Sequence, residues 1–148
     1  MKKPIINNLV IELHVPDFKP IKEFYGHLGF SILSEDKPCK ERTGYLVLKR
    51  KDTIGDTILN FYGGDDRVYE QRFFKQFSQD TPRGYAAEVT IPVSNLKEVY
   101  ATIQSKAPES IVRELDTLVE PDQSWQDFRL KDPFGFYIRI TELVDWGQ

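Results

Sequence analysis

The chain has 148 residues, of which 40% are apolar and 29% charged, a composition typical of one globular domain with a sizeable core. A net charge of -3 and a pI of about 5.4 argue against a surface that binds nucleic acid, and no apolar run is long enough for a membrane span. The single cysteine, Cys39, excludes an internal disulfide, and no signal-peptide core follows the N-terminus, so we expect a cytoplasmic protein.

The first half of the chain predicts a strand, a helix and three more strands. Alternating apolar residues predict a strand over 9–15, which ends at Pro16, and Asp17 is a suitable N-cap for the helix that follows. Apolar residues then recur at helical spacing as far as Leu28, and Gly29 closes the helix. The next predicted strands are 30–35, 44–50 and 57–63.

The second half repeats this order. A strand is predicted over 85–93, a helix begins after Ser94 or Asn95, and strands follow at 110–115, 124–132 and 136–143. Sequence similarity supports the repeat, because VPDF at 15–18 aligns with VSNL at 93–96, and KDTIGDTI at 51–58 aligns with KDPFGFYI at 131–138. The chain is therefore predicted to be an internal duplication of a βαβββ unit.

The duplication predicts an α+β fold of two paired βαβββ modules forming a cleft. A single unit cannot bury both faces of its sheet, whereas two units can share a core and leave a pocket between them. We place module one at about 7–64, a linker helix at about 66–80 and module two at about 84–144, all within one domain.

Two segments resemble a known superfamily. VPDFKPIKEFYGHLGF at 15–30 and FRLKDPFGFYIRI at 128–140 are similar to the opening and the last two strands of glyoxalase, bleomycin-resistance and extradiol-dioxygenase proteins, the vicinal oxygen chelate superfamily. The resemblance implies paired βαβββ modules, often in homodimers whose clefts involve both subunits. It leaves function open, because such proteins include metal-dependent isomerases, lyases and dioxygenases as well as metal-free proteins that sequester antibiotics.

The resemblance also indicates where a metal would be held. The four positions are Val10, Asn60 (or Leu59 in the other register), Glu88 and Arg139. Only Glu88 is a good ligand for a divalent metal, and Arg139 brings a permanent positive charge to the site. We therefore expect no metal and no cofactor, with Glu88 and Arg139 forming an ion pair on the cleft floor.

Glu12 and His14 leave an alternative open. They alternate with Val10 along the first strand and so share its face, where they could line a solvated pocket. With Glu88 they could instead form a displaced facial triad for iron, which would make the protein a lyase, isomerase or dioxygenase.

Together with the departures at Val10 and Arg139, the resemblance implies a small-molecule-binding protein rather than an enzyme, and it implies a homodimer. The ligand is expected to be an antibiotic-like or other organic molecule, with no nucleic acid or membrane as partner. Strand tyrosines and a tryptophan are candidates to sandwich a planar ligand. The predicted ligand-binding residues are Glu12, His14, Asn60, Tyr62, Glu88, Trp125 and Arg139, with none assigned a catalytic role.

Overall fold

The structure, a computed structural model, describes residues 9–121 and 123–142. The strands are β1 (Glu12–Val15), β2 (Ser31–Asp36), β3 (Gly44–Arg50), β4 (Thr57–Gly63), β5 (Val89–Pro92), β6 (Ile111–Glu120), β7 (Gln123–Lys131) and β8 (Tyr137–Thr141). The helices are α1 (Phe18–His27) and α2 (Leu96–Lys106), with short 3-10 helices at Asp66–Glu70 and Pro108–Ser110. The predicted module ends at 7–8 and 143–144 lie outside the described residues.

The eight strands form two sheets of the same topology. The first has the order β1-β4-β3-β2 and the second β5-β8-β7-β6. In each sheet the first strand pairs in parallel with the last, and the other pairs are antiparallel. The βαβββ unit therefore occurs twice, as the sequence duplication predicts.

The two helices and one face of each sheet share a single core. Helix α1 begins after Asp17, whose carboxylate accepts a hydrogen bond from Lys19 N at 2.9 Å, and Gly29 at φ 90° ends the turn that follows. The buried side chains of α1, α2 and the strands belong to one continuous apolar cluster. Strand residues alternate between that core and the opposite face of each sheet, which we call the open face.

Polar contacts also join the two modules. Tyr25 in α1 donates a buried hydrogen bond to Asp132 in the turn after β7, with an oxygen–oxygen distance of 3.0 Å. In the reverse direction, Asp52 in the turn after β3 accepts from Ser94 N, just before α2, at 3.0 Å. Arg50, which is 6% exposed, donates to Asn95 at 2.8 Å. The helix of each module is thus held by the turn of the other.

Four predicted elements differ from those observed by three residues or more. The strand expected over 110–115 continues to Glu120. The strands expected over 9–15 and 85–93 begin later, at Glu12 and Val89. The linker helix expected over 66–80 is wrong, because it stops at Glu70 and only turns follow. Gln71 has an extended backbone, and its side chain accepts a hydrogen bond from Phe73 N, which replaces helical bonding at that point. Within the described residues, no helix is long and apolar enough to cross a membrane.

Candidate functional site

One polar cluster lies on the open face of the first sheet. The parallel register of β1 and β4 places Glu12 opposite Asn60 and His14 opposite Tyr62. His14 Nε2 lies 2.9 Å from Glu12 Oε1, so these two side chains pair directly. The predicted residues Glu12, His14, Asn60 and Tyr62 are therefore neighbours.

Tyr45 extends this cluster into a hydrogen-bonded chain. Its hydroxyl donates to Glu12 Oε2 at 2.8 Å and accepts from Asn60 Nδ2 at 3.0 Å. Partial burial, together with the hydrogen bond and charge of Glu12, raises the pKa of the Tyr45 phenol. The phenol consequently remains a donor at neutral pH, and the chain runs from Asn60 through Tyr45 and Glu12 to His14.

His14 has a defined orientation within this chain. A carboxylate only accepts hydrogen bonds, so Nε2 of His14 carries a proton and donates to Glu12. Nδ1 is buried, and no described residue bonds to it. The imidazole ring lies against Tyr62 and Phe74, with centroid distances of 4.8 and 4.7 Å. In its neutral form His14 therefore presents an unshared lone pair within an aromatic setting.

A pocket of about 370 Å³ lies beside His14, between β1 and the segment that connects the modules. We call it the linker pocket. Its aromatic lining residues are Tyr69, Phe74, Phe77 and Phe136, and its charged or titratable ones are Glu12, His14 and Arg83. Arg83 Nε donates to the backbone oxygen of His14 at 3.2 Å, and its guanidinium carbon lies 5.4 Å from the centroid of the Tyr69 ring. Such a lining suits an organic ligand with a flat apolar surface and a few polar groups.

A second polar cluster lies on the open face of the second sheet. Glu88 Oε2 pairs with Arg129 at 2.6 Å, and Arg139 Nε donates to Asp127 Oδ2 at 2.7 Å. The predicted ion pair between Glu88 and Arg139 is therefore wrong. Arg129 lies directly opposite Arg139 in the sheet and is the arginine within ion-pair distance of Glu88. Arg139 pairs with Asp127 instead. Trp125 belongs to this cluster, with the Arg139 guanidinium carbon 5.9 Å from its ring centroid.

Of the comparisons with known proteins, the one with solved structures identifies the fold. No family model matches the chain, and no curated protein matches it. Among solved structures, a bleomycin resistance determinant encoded on a transposon is 20% identical with a TM-score of 0.59, covering 92% of this chain and 97% of its own. A bleomycin-binding protein complexed with bleomycin is 19% identical with a TM-score of 0.59, covering 93% and 99%. A glyoxalase family protein from Enterococcus faecalis is 20% identical with a TM-score of 0.58, covering 90% and 94%.

This chain has the glyoxalase/bleomycin-resistance fold. The fold predicted from the duplication and from the two similar segments is confirmed.

The residues at the four positions where the resemblance would place a metal do not form a set of metal ligands. Val10 precedes β1 and is 62% exposed, and Leu59 is buried in the core at 1%, which leaves Asn60 on the open face. Glu88 is already bonded through both oxygens, by Thr90 to one and Arg129 to the other. The guanidinium at 139 would repel a cation.

The alternative triad is not assembled either. Glu12 and His14 lie on the first sheet, whereas Glu88 precedes β5 and pairs with Arg129. In the part of the chain that the structure describes, no three His, Cys, Asp or Glu side chains are grouped so that they could hold a metal ion. The predicted site residues thus fall into two clusters, and no hydrogen bond or ion pair between described residues joins them.

The sequence analysis missed residues of the second cluster and of the linker pocket. Asp127 and Arg129 alternate with the core residues Phe128 and Leu130, so strand parity could have placed them beside Trp125. Arg83 gave no such signal, because it belongs to an irregular segment without periodicity.

Proposed function

We propose that this protein binds a small organic ligand, antibiotic-like in its size and its planar or apolar surface, in the linker pocket. The observation that carries the proposal is the aromatic pocket beside the Glu12–His14 pair. Its volume of about 370 Å³ lies within the usual range for ligand sites. One protein of the same fold was solved with bleomycin bound, which supports an antibiotic as the first ligand to test.

The polar residues give the ligand its orientation. Glu12 and His14 offer acceptors, and Arg83, whose Nε donates to the backbone oxygen of His14, offers a cationic donor. Aromatic side chains at 74 and 77 provide stacking area, and their rings lie 6.3 Å apart. We assign binding and sequestration rather than turnover to this site, and we propose that binding needs no metal.

The test is a ligand titration followed by thermal shift and calorimetry, using bleomycin and a panel of planar aromatic antibiotics in buffer with EDTA. We expect at least one compound to raise Tm. Phe74→Ala should weaken its binding at least tenfold, because Phe74 lines the pocket and contacts His14. Phe73→Ala is the matched control, because Phe73 is exposed to a similar extent (59% against 50%) but packs under Arg72 outside the pocket.

The outcome decides each part of the proposal. If no compound shifts Tm, or if Phe74→Ala binds as tightly as the unchanged chain, the pocket is not the binding site. The metal question is tested by elemental analysis after addition of Mn, Fe, Ni or Zn. Stoichiometric metal that is lost in Glu88→Ala would contradict metal-free binding.

We also propose that the protein is a cytoplasmic homodimer. A reducing compartment is supported by Cys39, which is a free and exposed thiol. The open face of the first sheet and the aromatic linker offer surface for a second copy, with Ile58, Phe73 and Phe77 each at least 50% exposed. Sedimentation velocity over a range of concentrations tests the dimer, and a monomer throughout would contradict it.

A further inference from the structure

The open face of the second sheet carries three arginines side by side. The strand register places Arg139 opposite Arg129, and Arg129 opposite Arg113, so three neighbouring strands each contribute one guanidinium. Like charges directly opposite each other destabilise a sheet. The corresponding pair in the first sheet is Asn60 opposite Val47, which has no charge. The fold therefore does not require this cationic row.

Acidic side chains offset only part of the row. Asp127 is fully buried and is shared by all three arginines, at 2.7 Å from Arg139, 3.4 Å from Arg129 and 3.5 Å from Arg113. Glu88 pairs with Arg129 alone. The third acid, Asp116, pairs with Arg113 at the rim, and its side chain is 65% exposed, so solvent screens it.

Hydrogen-bond donors exceed acceptors on this face. Nε of Arg129 and Nε1 of Trp125 are buried, and neither has a hydrogen-bond partner among the described residues. One buried acceptor, Oδ1 of Asp127, also has no hydrogen-bond partner among them, although Arg113 Nη1 lies 3.5 Å away, so the unpaired donors outnumber the unpaired acceptor. Arg139 uses only its Nε, and its two terminal nitrogens bond to none of the described residues. Unpaired buried donors are costly, so the group that this face lacks is an acceptor. The side chains of Arg139 and Arg129 are 12% and 21% exposed and can be reached from solvent.

We propose that this face is an oxyanion-binding site, which we call the arginine face, and that it holds a carboxylate or phosphoryl group through Arg139 with Arg129 and Trp125 alongside. Guanidinium groups bind both kinds of oxyanion through paired N–H donors. The site lies on the second sheet, apart from the linker pocket. The inference goes beyond the proposed function and does not depend on it.

The test titrates the full chain with inorganic phosphate and, separately, with benzoate, in chloride buffer at constant ionic strength, and measures Tm and calorimetric Kd. We expect a saturable rise in Tm with at least one of the two, and the two arms show whether the phosphoryl or the carboxylate form is preferred. Arg139→Gln should raise Kd at least tenfold. Arg42→Gln is the matched control, because Arg42 also pairs with one aspartate but is 64% exposed on the first module.

A second variant covers the case in which Arg139→Gln fails to fold. Arg139→Lys keeps the charge beside Asp127 but loses the planar pair of donors, and we expect Kd to rise at least threefold. The inference is overturned if neither anion gives a saturable shift, if the shift follows ionic strength alone, or if Kd is unchanged in both variants. Titrating the pocket ligand into the same variants separates the two proposals. Bleomycin-type binding without an anion effect defeats only this one, and an anion effect without pocket binding defeats only the other.

Discussion

Replacing Tyr25 by Phe tests how the two modules are held together. The Tyr25 hydroxyl donates to Asp132 Oδ2 at 3.0 Å, while Oδ1 of the same carboxylate accepts from Phe134 N and Phe136 N at 2.9 and 3.0 Å. The substitution leaves the ring in place against Phe61, at a centroid distance of 5.2 Å, and removes only the hydroxyl. A hydrogen bond to a charged group contributes about 1.5–3 kcal/mol, so we expect a loss of about 2 kcal/mol.

The assay is the free energy of unfolding from urea titrations at several pH values. For a chain of this length, about 2 kcal/mol corresponds to a fall in Tm of about 4–8 °C. Burial raises the pKa of Asp132, although hydrogen bonds from Phe134 and Phe136 oppose it. The hydroxyl stabilises the charged carboxylate most, so the loss is greatest above the raised pKa of Asp132 and shrinks as the pH falls through it. Tyr100→Phe is the control, because the bond from Tyr100 to Glu114 is exposed, and its loss should cost less than about 0.5 kcal/mol.

A double-mutant cycle decides whether the reasoning holds. In an Asp132→Asn background, Tyr25→Phe should cost clearly less, because the charge that the hydroxyl stabilises is gone. The argument fails if Tyr25→Phe costs no more than the Tyr100→Phe control, or if the two changes in the cycle are simply additive.

Three further substitutions test the same contacts and the backbone. Burial acts to raise the pKa of Asp52, but hydrogen bonds from Ser94 and Arg50 outweigh it and hold that pKa well below the usual value. The stabilisation that the Asp52 carboxylate contributes is therefore complete above the usual Asp pKa of about 3.9 and is lost as the pH falls below it. Asp52→Asn should lower the free energy of unfolding by about 2 kcal/mol at pH 7. The variant should also lose less stability than the parent as the pH is lowered. Gly63→Ala would place a Cβ 2.4 Å from a backbone oxygen of β1 at φ 119°, and thermal unfolding should show a loss of at least about 2 kcal/mol. Gly26→Ala, with nothing within 4 Å of the new atom, should instead stabilise α1 by up to about 1 kcal/mol. A Gly63→Ala variant as stable as the parent, or an Asp52→Asn variant with an unchanged acid profile, would count against these readings.

Much of the fold was predictable because periodicity is local. The strands at 44–50 and 57–63 have the predicted bounds, since each alternates strictly between core and open face. The linker was not predictable in the same way. Its phenylalanines have helical spacing, but a single side chain, Gln71, bonds to the backbone and interrupts the helix.

The sequence predicted which residues belong to the polar clusters better than it predicted which of them pair with each other. Alternation placed Glu12 beside His14, and the structure brings Asn60 and Tyr62 to the same place through the β1–β4 register. The partner of Glu88 could not be found from sequence, because it depends on which of two arginines in adjacent strands reaches further. Pairing across strands is set by the register between them, and that register cannot be inferred from the residues of one strand alone.

Comparing the two modules distinguishes the residues that hold the modules together from the residues on the open faces that are available for binding. Asp52 and Asp132 occupy equivalent positions in KDTIGDTI and KDPFGFYI, and each contacts the other module, at Ser94 N and at the Tyr25 hydroxyl. On the open faces the equivalent residues differ, with Asn60 in the first sheet where the second has Arg139. A turn aspartate thus docks each module onto the other, although the donors differ, and the exposed chemistry of the two halves is not shared. Changes at open-face residues that line the linker pocket, such as His14, should therefore alter binding more than stability, whereas changes at the two aspartates should do the reverse.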